Sequence, residues 1–189
     1  MEAIEALTTR VSGNSLVEPG PDELQLHSIL SAAMRAPDHG RLRPWRFILL
    51  KGAARQRLGA LMGKCFRRRH PDATPAQIEK EMSKPLRAPL ILVVAAKVNE
   101  QSPIPAIEQV LSAAAAAENV MVCAFALGLG CAWRTGEAAY DAEIKAAFGL
   151  AASDAIVGFL YLGSSGTPPA PPAPLDLSDY VVEWPDQAA

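Results

Sequence analysis

The sequence predicts a three-layer α/β arrangement, and three observations predict it. Residues 89–96, "PLILVVAA", are apolar throughout, as in a strand covered on both faces. Residues 154–163, "DAIVGFLYLG", form a second buried strand of this kind. Between them runs the longest feature of the chain, the helical stretch "PAIEQVLSAAAAAENVMVCAFALGLG", whose alanines supply helix propensity and let another backbone approach closely. Helices on both faces of a central sheet bury such strands.

In chain order, "MEAIEALTTR" places Ile4 and Leu7 at helical spacing and stops at "VSGNS", a cluster of turn formers. A second helix follows the linker "VEPGPDE". Asp22 suits its N-cap, because the side-chain oxygen accepts from a free first-turn amide. Leu26, Ile29, Leu30, Ala33 and Met34 form its apolar face, and Pro37 ends it. "WRFILL" reads as a strand, and "GAARQRLGALMGKCFRRRHPD" as a helix with Leu58, Leu61, Met62, Cys65 and Phe66 on one side. Its Arg67, Arg68 and Arg69 read as a solvated basic end, favourable at a helix C-terminus. "PAQIEKEMS" is a further short helix. Gly128 and Gly130 stop the Ala-rich helix, after which "CAWR" reads as a strand and residues 141–148 as a helix. Residues 1–166 are expected to form one domain. Residues 167–189, with "TPPAPPAPLDL", are expected to be an extended proline-rich extension that wraps the domain or a dimer partner.

A length of 189 residues allows a real core, and a composition 50% hydrophobic and 20% charged suits neither a disordered chain nor a multi-span membrane protein. Net charge is −2, so no global basic field attracts nucleic acid, and any anion site must be local. Cys65, Cys123 and Cys131 are odd in number and lack CxxC spacing, which argues against a disulfide framework and fits a reducing cytoplasm. The N-terminus lacks a basic region followed by an apolar run, so no secretory signal is expected. The Ala-rich helix is long enough to cross a bilayer, but Glu118 and Asn119 would then lie mid-span, which favours burial in protein.

No G-x-G-x-x-G, P-loop or G-x-S-x-G occurs, and the histidines have no partners at metal-ligand spacing, so no metal is assigned. Three segments carry the remaining chemistry. "TRVSGNS" offers Arg10 and the Ser12 hydroxyl in a turn of free amides, a combination suited to a phosphate monoester. "MRAPDHGRLRPWRF" gathers four arginines around Asp38 and His39, where a locally hydrogen-bonded histidine is favoured over an Asp–His catalytic pair. "CAWR" adds Trp133 and Arg134. Phosphate-like sites without a nucleophile triad or metal set indicate a cofactor that carries the reaction.

These segments resemble the nitroreductase family of FMN-dependent NAD(P)H oxidoreductases, in its short bacterial branch. The resemblance runs in order through "MEAIEALTTRVS", "ILSAAMRAPDHGRLRPWRF", "RAPLILVVAAK", the Ala-rich helix, "GLGCAWRTG" and "IVGFLYLG". It implies an α+β fold, a three-layer α/β/α nitroreductase-like architecture whose mixed central sheet is flanked by helices. It also implies a homodimer around the long central helix, with FMN at the subunit interface. The implied activity is electron transfer from NAD(P)H through FMN to an electron-poor acceptor, a nitroaromatic or a quinone, by a ping-pong mechanism. No catalytic side chain is assigned, because the flavin carries the chemistry. The alternative is a flavin-binding or interaction protein of the same fold with little reductase turnover.

Residue by residue, the resemblance implies FMN contacts from Arg10, Val11 and Ser12 at the phosphate, and from Trp133, Arg134 and Thr135 beside the ring. Arg35 and His39 would come from the partner chain. Cys123, Ala124, Phe125, Ala126, Leu127 and Gly128 resemble the stretch assigned to the nicotinamide nucleotide. The chain departs from the family pattern in three places. One arginine stands in the first motif, Leu42 and Arg43 replace the usual polar residues before Pro44 and Trp45, and Lys145 is the only basic residue after Arg134. Phosphate charge therefore falls to Arg10 and Arg134.

Overall fold

The computed structural model describes residues 1–13, 15–167 and 170–184. Helix α1 (Ala3–Thr9) buries Ala6 and leads to the two-residue strand β1 (Leu16–Val17). Asp22 caps α2 (Glu23–Ala33) as expected. It accepts from the Gln25 amide at 2.8 Å, while the Gln25 side chain accepts from the Asp22 amide at 3.0 Å. Strand β2 (Trp45–Lys51) is followed by α3 (Ala53–Arg69) and α4 (Pro75–Ser83), the latter opened by a second capping box from Thr74 and Gln77. Then come β3 (Leu90–Ala96), α5 (Ala106–Ala126), β4 (Gly130–Arg134), α6 (Glu137–Tyr140), α7 (Ala142–Ala147) and β5 (Ala155–Ser165).

Strand β3 is buried at every residue and lies between β2 and β5, with Leu92 opposite both Leu49 and Leu160. Strand β5 also pairs with β4 and, at its end, with β1. The three-layer α+β class holds, but the expected mixed sheet does not, because all of these pairings are antiparallel. Helices α3 and α4 carry the chain out and back, so β3 starts opposite the end of β2, at Lys51 and Leu90. Strands β3 and β4, joined through α5, do run the same way. β5 inserts between them, so they do not pair.

Alternation along β3 sorts the core into two layers. Leu90, Leu92, Val94 and Ala96 pack with α2 and α5, while Ile91, Val93 and Ala95 face α3, α6 and α7. Helix α5 is long and apolar enough to cross a membrane by length and composition, yet Ala113, Ala116, Ala117 and Val120 are fully buried inside the fold. Its polar residues have partners within the chain: Glu118 accepts from Arg10, and Asn119 donates to the Ala32 carbonyl at 3.0 Å.

The basic end of α3 corrects another expectation. Arg68 contacts Asp141 at 2.8 Å and also Glu143, while Arg69 contacts Asp141 and Glu137, so among the described residues Arg67 alone of the three has no acidic partner. Asp141 is buried and caps α7 through the amides of Glu143 and Ile144. The cluster ties α3 to the α6–α7 segment, beside the apolar packing of Ala138, Ala139 and Ile144 with Leu58, Met62 and Cys65. Residues 170–184 of the proline-rich extension are exposed throughout, including Leu175, Leu177, Tyr180, Val182 and Trp184.

Candidate functional site

A cavity of about 380 Å³ opens on the α3 side of the sheet. Ala132, Phe159 and Tyr161 form its floor, because alternate residues of β4 and β5 point to this face. Met62 of α3 supplies one wall, and Lys84 and Arg87, from the turn before β3, supply another. Gly13 and Leu16 edge it at one side, with Arg134, Thr135 and Gly136 completing it. The Gly13 amide donates to the Cys131 carbonyl at 2.9 Å, which stitches the N-terminal turn onto the edge of β4. A Cβ on Gly13 would lie 2.8 Å from Leu16 Cδ2 and 3.4 Å from the Cys131 amide nitrogen, so a side chain here would have to displace the Leu16 methyl at the cavity edge.

The cavity therefore joins two of the segments singled out in the sequence, the turn after Ser12 and the strand end at Arg134 and Thr135. Other candidates lie elsewhere in the chain. Arg10 turns toward α5, where its Nε donates to Glu118 Oε1 at 3.2 Å. Val11 is half-buried and Ser12 exposed. Trp133, one residue before Arg134, points to the opposite face of the sheet. Its indole nitrogen donates to the Val157 carbonyl at 3.2 Å, and its ring lies on Gly158.

Arg35 is exposed, and His39 Nδ1 lies 2.6 Å from Glu108 Oε2. Asp38 does not orient His39. Its Oδ2 accepts instead from the Arg43 amide at 2.7 Å, bracing a loop in which Gly40, Arg41 and Arg43 take positive φ. Trp45 and the Pro37 carbonyl both hydrogen-bond Ser112, which fastens the loop to α5. Glu108 and Glu118 are ten residues apart on that helix, about 15 Å along its axis. One chain thus holds Arg35 and His39 well away from Arg10 and the cavity edge. Cys123, Ala124, Phe125, Ala126, Leu127 and Gly128 end α5, where Ala124 is buried and Leu127 partly exposed, and none lines the cavity.

Burial raises the Tyr161 phenol, and Arg87 and Arg134 pull it back down, which places both guanidiniums within electrostatic reach of the cavity floor. Burial also pushes the Cys131 thiol up to about 12, making it a packing residue rather than a nucleophile. Lys84, Arg87, Met62 and Tyr161 were not singled out by sequence reasoning. The available signal was "KPLRAPL", two cations flanking a Pro-Leu immediately before a buried strand.

A sequence profile described as the Nitroreductase family matches residues 17–164. The chain belongs to the nitroreductase family. Within it, the chain is 40% identical over 164 residues to the Escherichia coli (strain K12) protein named "Putative NAD(P)H nitroreductase YdjA", covering 87% of this chain and 88% of that one. The solved structure of a nitroreductase-like family protein from Bacillus cereus superposes with a TM-score of 0.82 at 23% identity, covering 97% of this chain and 96% of that one. A nitroreductase with bound FMN from Bacteroides fragilis superposes with a TM-score of 0.74 at 19% identity, covering 97% and 100%.

Proposed function

We propose that this chain is an FMN-dependent oxidoreductase that passes electrons from NAD(P)H to an electron-poor acceptor, a nitroaromatic or a quinone, by a ping-pong cycle. One observation carries the reading. The cavity that unites the N-terminal turn with Arg134 and Thr135 lies on the fold of a family whose members include an FMN-bound protein and a relative named for NAD(P)H. The residues present suit the cofactor. A flat aromatic floor, a backbone turn kept close by Gly13 and several cations match a planar ring carrying a phosphate.

FMN supplies the hydride and electron chemistry when bound. The chain supplies the rest: the turn of Arg10, Val11 and Ser12 and the cations at the cavity hold the anion, and Trp133, Arg134 and Thr135 orient the ring from the end of β4. The donor leaves before the acceptor enters the same slot, and the residues at the end of α5, Cys123 to Gly128, serve the nicotinamide nucleotide. A reducing compartment, the cytoplasm, belongs to this reading, since all three cysteines are free thiols.

The active unit in this proposal is a homodimer. Helix α5 leaves Ile107 and Leu111 61% and 58% exposed, and the same face continues through the incompletely covered Ala114, Glu118, Val122 and Phe125. That spacing of three or four residues makes a seam for a second helix. In the dimer, Arg35 and His39 serve the cofactor held mainly by the other chain, which accounts for their distance from the cavity of their own. The extension from residue 167, apolar but uncovered over 170–184, wraps the domain or the partner.

The deciding measurement is the visible absorbance spectrum of the purified protein, before and after NADPH is added without oxygen. Flavin bands that bleach support the reductase, and bands that persist point to a flavin-binding protein with little turnover. A colourless protein that added FMN cannot reconstitute refutes the cofactor assignment.

A further inference from the structure

Residues 35–46 hold four arginines against one acid, Asp38, in a chain whose net charge is −2. Arg35, Arg41, Arg43 and Arg46 are all exposed, and among the described residues none has an acidic side-chain partner. The two carboxylates that touch this loop are already committed. Asp38 accepts from the Arg43 amide at 2.7 Å, and Glu108 is held by His39 Nδ1 at 2.6 Å.

The backbone fixes where these cations stand. Arg41 and Arg43 take φ of 56° and 49°, a left-handed conformation that residues with a β-carbon rarely adopt. The Arg46 guanidinium locks the turn by donating to the Arg43 and Trp45 carbonyls at 3.1 and 2.8 Å. Gly40 packs so closely that a β-carbon there would come 2.3 Å from Ile104 Cδ1. Backbone strain held in place by its surroundings is a mark of functional loops. Through Glu108 and Ser112 the loop is fastened to α5 beside Ile107 and Leu111, the exposed apolar residues of the seam. In the dimer the loop therefore borders the partner chain, in the same segment as Arg35 and His39.

We propose that Arg41 and Arg43 are specificity-determining residues that select an electron acceptor carrying an anionic group, a nitroaromatic or quinone with a carboxylate or sulfonate on its ring. This rests on the flavin and dimer readings above. A planar guanidinium holds a carboxylate through two parallel hydrogen bonds, and an apolar ring beside the pair keeps water from screening it. Cys123 to Gly128, given to the nicotinamide nucleotide, lie at the other end of α5, which leaves this loop to the acceptor. The arginines bind the substituent and take no part in the electron transfer.

The experiment compares two acceptors of the same shape, 4-nitrobenzoate and 4-nitrobenzamide. Holoprotein is reduced by NADPH without oxygen, and reoxidation of its flavin by each acceptor is followed by stopped flow. The unaltered chain is set beside Arg41→Asn, Arg43→Asn and the double variant. Asparagine tolerates the left-handed backbone, so the charge is removed while the turn is kept, and glycine serves at either position if an asparagine variant does not fold. The acceptors differ in intrinsic reactivity, so the quantity read is the change in their ratio of efficiencies between proteins. In the double variant the ratio should shift roughly 3- to 30-fold toward the neutral acceptor, between the worth of an exposed ion pair and that of a covered charge-assisted contact. The shift should lie in the half-saturating concentration, with the limiting rate nearly constant. Arg67→Asn, which removes an exposed cation from α3, should leave the ratio unchanged. Benzoate and benzamide, which the reduced flavin does not consume, are also titrated into the oxidised holoprotein by calorimetry. Benzoate should bind more tightly, and the double variant should lose that preference.

A ratio that stays fixed in the double variant, or that moves as far in Arg67→Asn, overturns the assignment. So does an effect confined to reduction of the flavin, where NADPH loses an advantage over NADH, since the loop would then read the donor's phosphate. Loss of flavin from both single variants overturns it as well, because the arginines would then serve the cofactor. A chain that holds no flavin overturns the flavin reading and this proposal together, a failure visible in the absorbance spectrum before any acceptor is added.

Discussion

Replacing Gly158 by alanine tests how the sheet beside the candidate site is built. An added Cβ would fall 2.2 Å from Trp133 Nε1, 2.6 Å from Cδ1 and 3.1 Å from Cε2, so the indole must move. Moving it breaks its hydrogen bond to the Val157 carbonyl, which typically contributes about 1 kcal/mol. Overpacking against the α2 and α5 side of the core adds about 1–3 kcal/mol. The backbone at Gly158 is not left-handed, so the stiffer unfolded chain returns about 0.4–1 kcal/mol. The net loss is about 1–3.6 kcal/mol, or a fall in Tm of roughly 2–14 °C for a chain of this size. Thermal unfolding followed by circular dichroism measures it. The same substitution in a Trp133→Phe background isolates the clash, because the smaller ring relieves much of it and the two changes should be non-additive. An unchanged Tm, or strict additivity in the double variant, would refute the packing argument.

Three further outcomes are expected. Leu111→Glu places a charge in the exposed seam of α5, and sedimentation should show the chain becoming monomeric and losing flavin together. If it dimerises normally, the seam lies elsewhere. The hydrogen bond with His70, and then Arg69, hold the Glu137 carboxyl below its ordinary value. Glu143 is lowered likewise, by Lys64 first and then Arg68. Burial pushes Asp141 up, but hydrogen bonds from Arg68, Cys65 and the amides of Glu143 and Ile144 outweigh it, leaving this carboxyl lowered too. Groups lowered by folding stabilise fully above the ordinary carboxylate range, and that contribution is lost as pH falls through their depressed values. Unfolding measured against pH should therefore steepen below about pH 4, with a flatter acid limb in Asp141→Asn. Finally, burial raises all three thiols, so alkylation at mildly alkaline pH should be slow throughout. Half-buried Cys123 should react before Cys65 or Cys131.

The features legible in the sequence were those written locally. Seven consecutive apolar residues made β3 recognisable, and Asp22 announced α2 through a hydrogen bond only three residues long. What escaped depends on partners far along the chain. Arg68 and Arg69 look solvated until α6 and α7 bring Asp141 and Glu137 beside them from about 70 residues away. The Arg10–Glu118 pair spans 108 positions, and it changes what that arginine is free to bind. Strand β1 has two residues and no pattern to read, and α6 has only four. The antiparallel sheet follows from where β5 inserts, a choice that no strand records in its own residues. Of the residues lining the cavity, Arg134 and Thr135 belong to a segment that the motif singled out. Arg87 was hidden because a single cation in a turn signals nothing until the cavity it faces is known.

The run "SAAAAAE" in α5 is the least varied stretch of the chain. Ala113, Ala116 and Ala117 are fully buried toward the sheet and α2, while Ala114 and Ala115 are only partly covered on the remaining surface. Alanine has no rotamers to lose, so the helix packs there with its backbone close to its neighbours. A larger residue on the inner faces overpacks the core by about 1–3 kcal/mol, and glycine weakens the helix by about 1 kcal/mol. Monotony here is therefore the reverse of indifference. The segment that looks easiest to rewrite should be among the slowest to drift, and random mutagenesis should return fewer accepted changes in it than in the richer, exposed surface of α3.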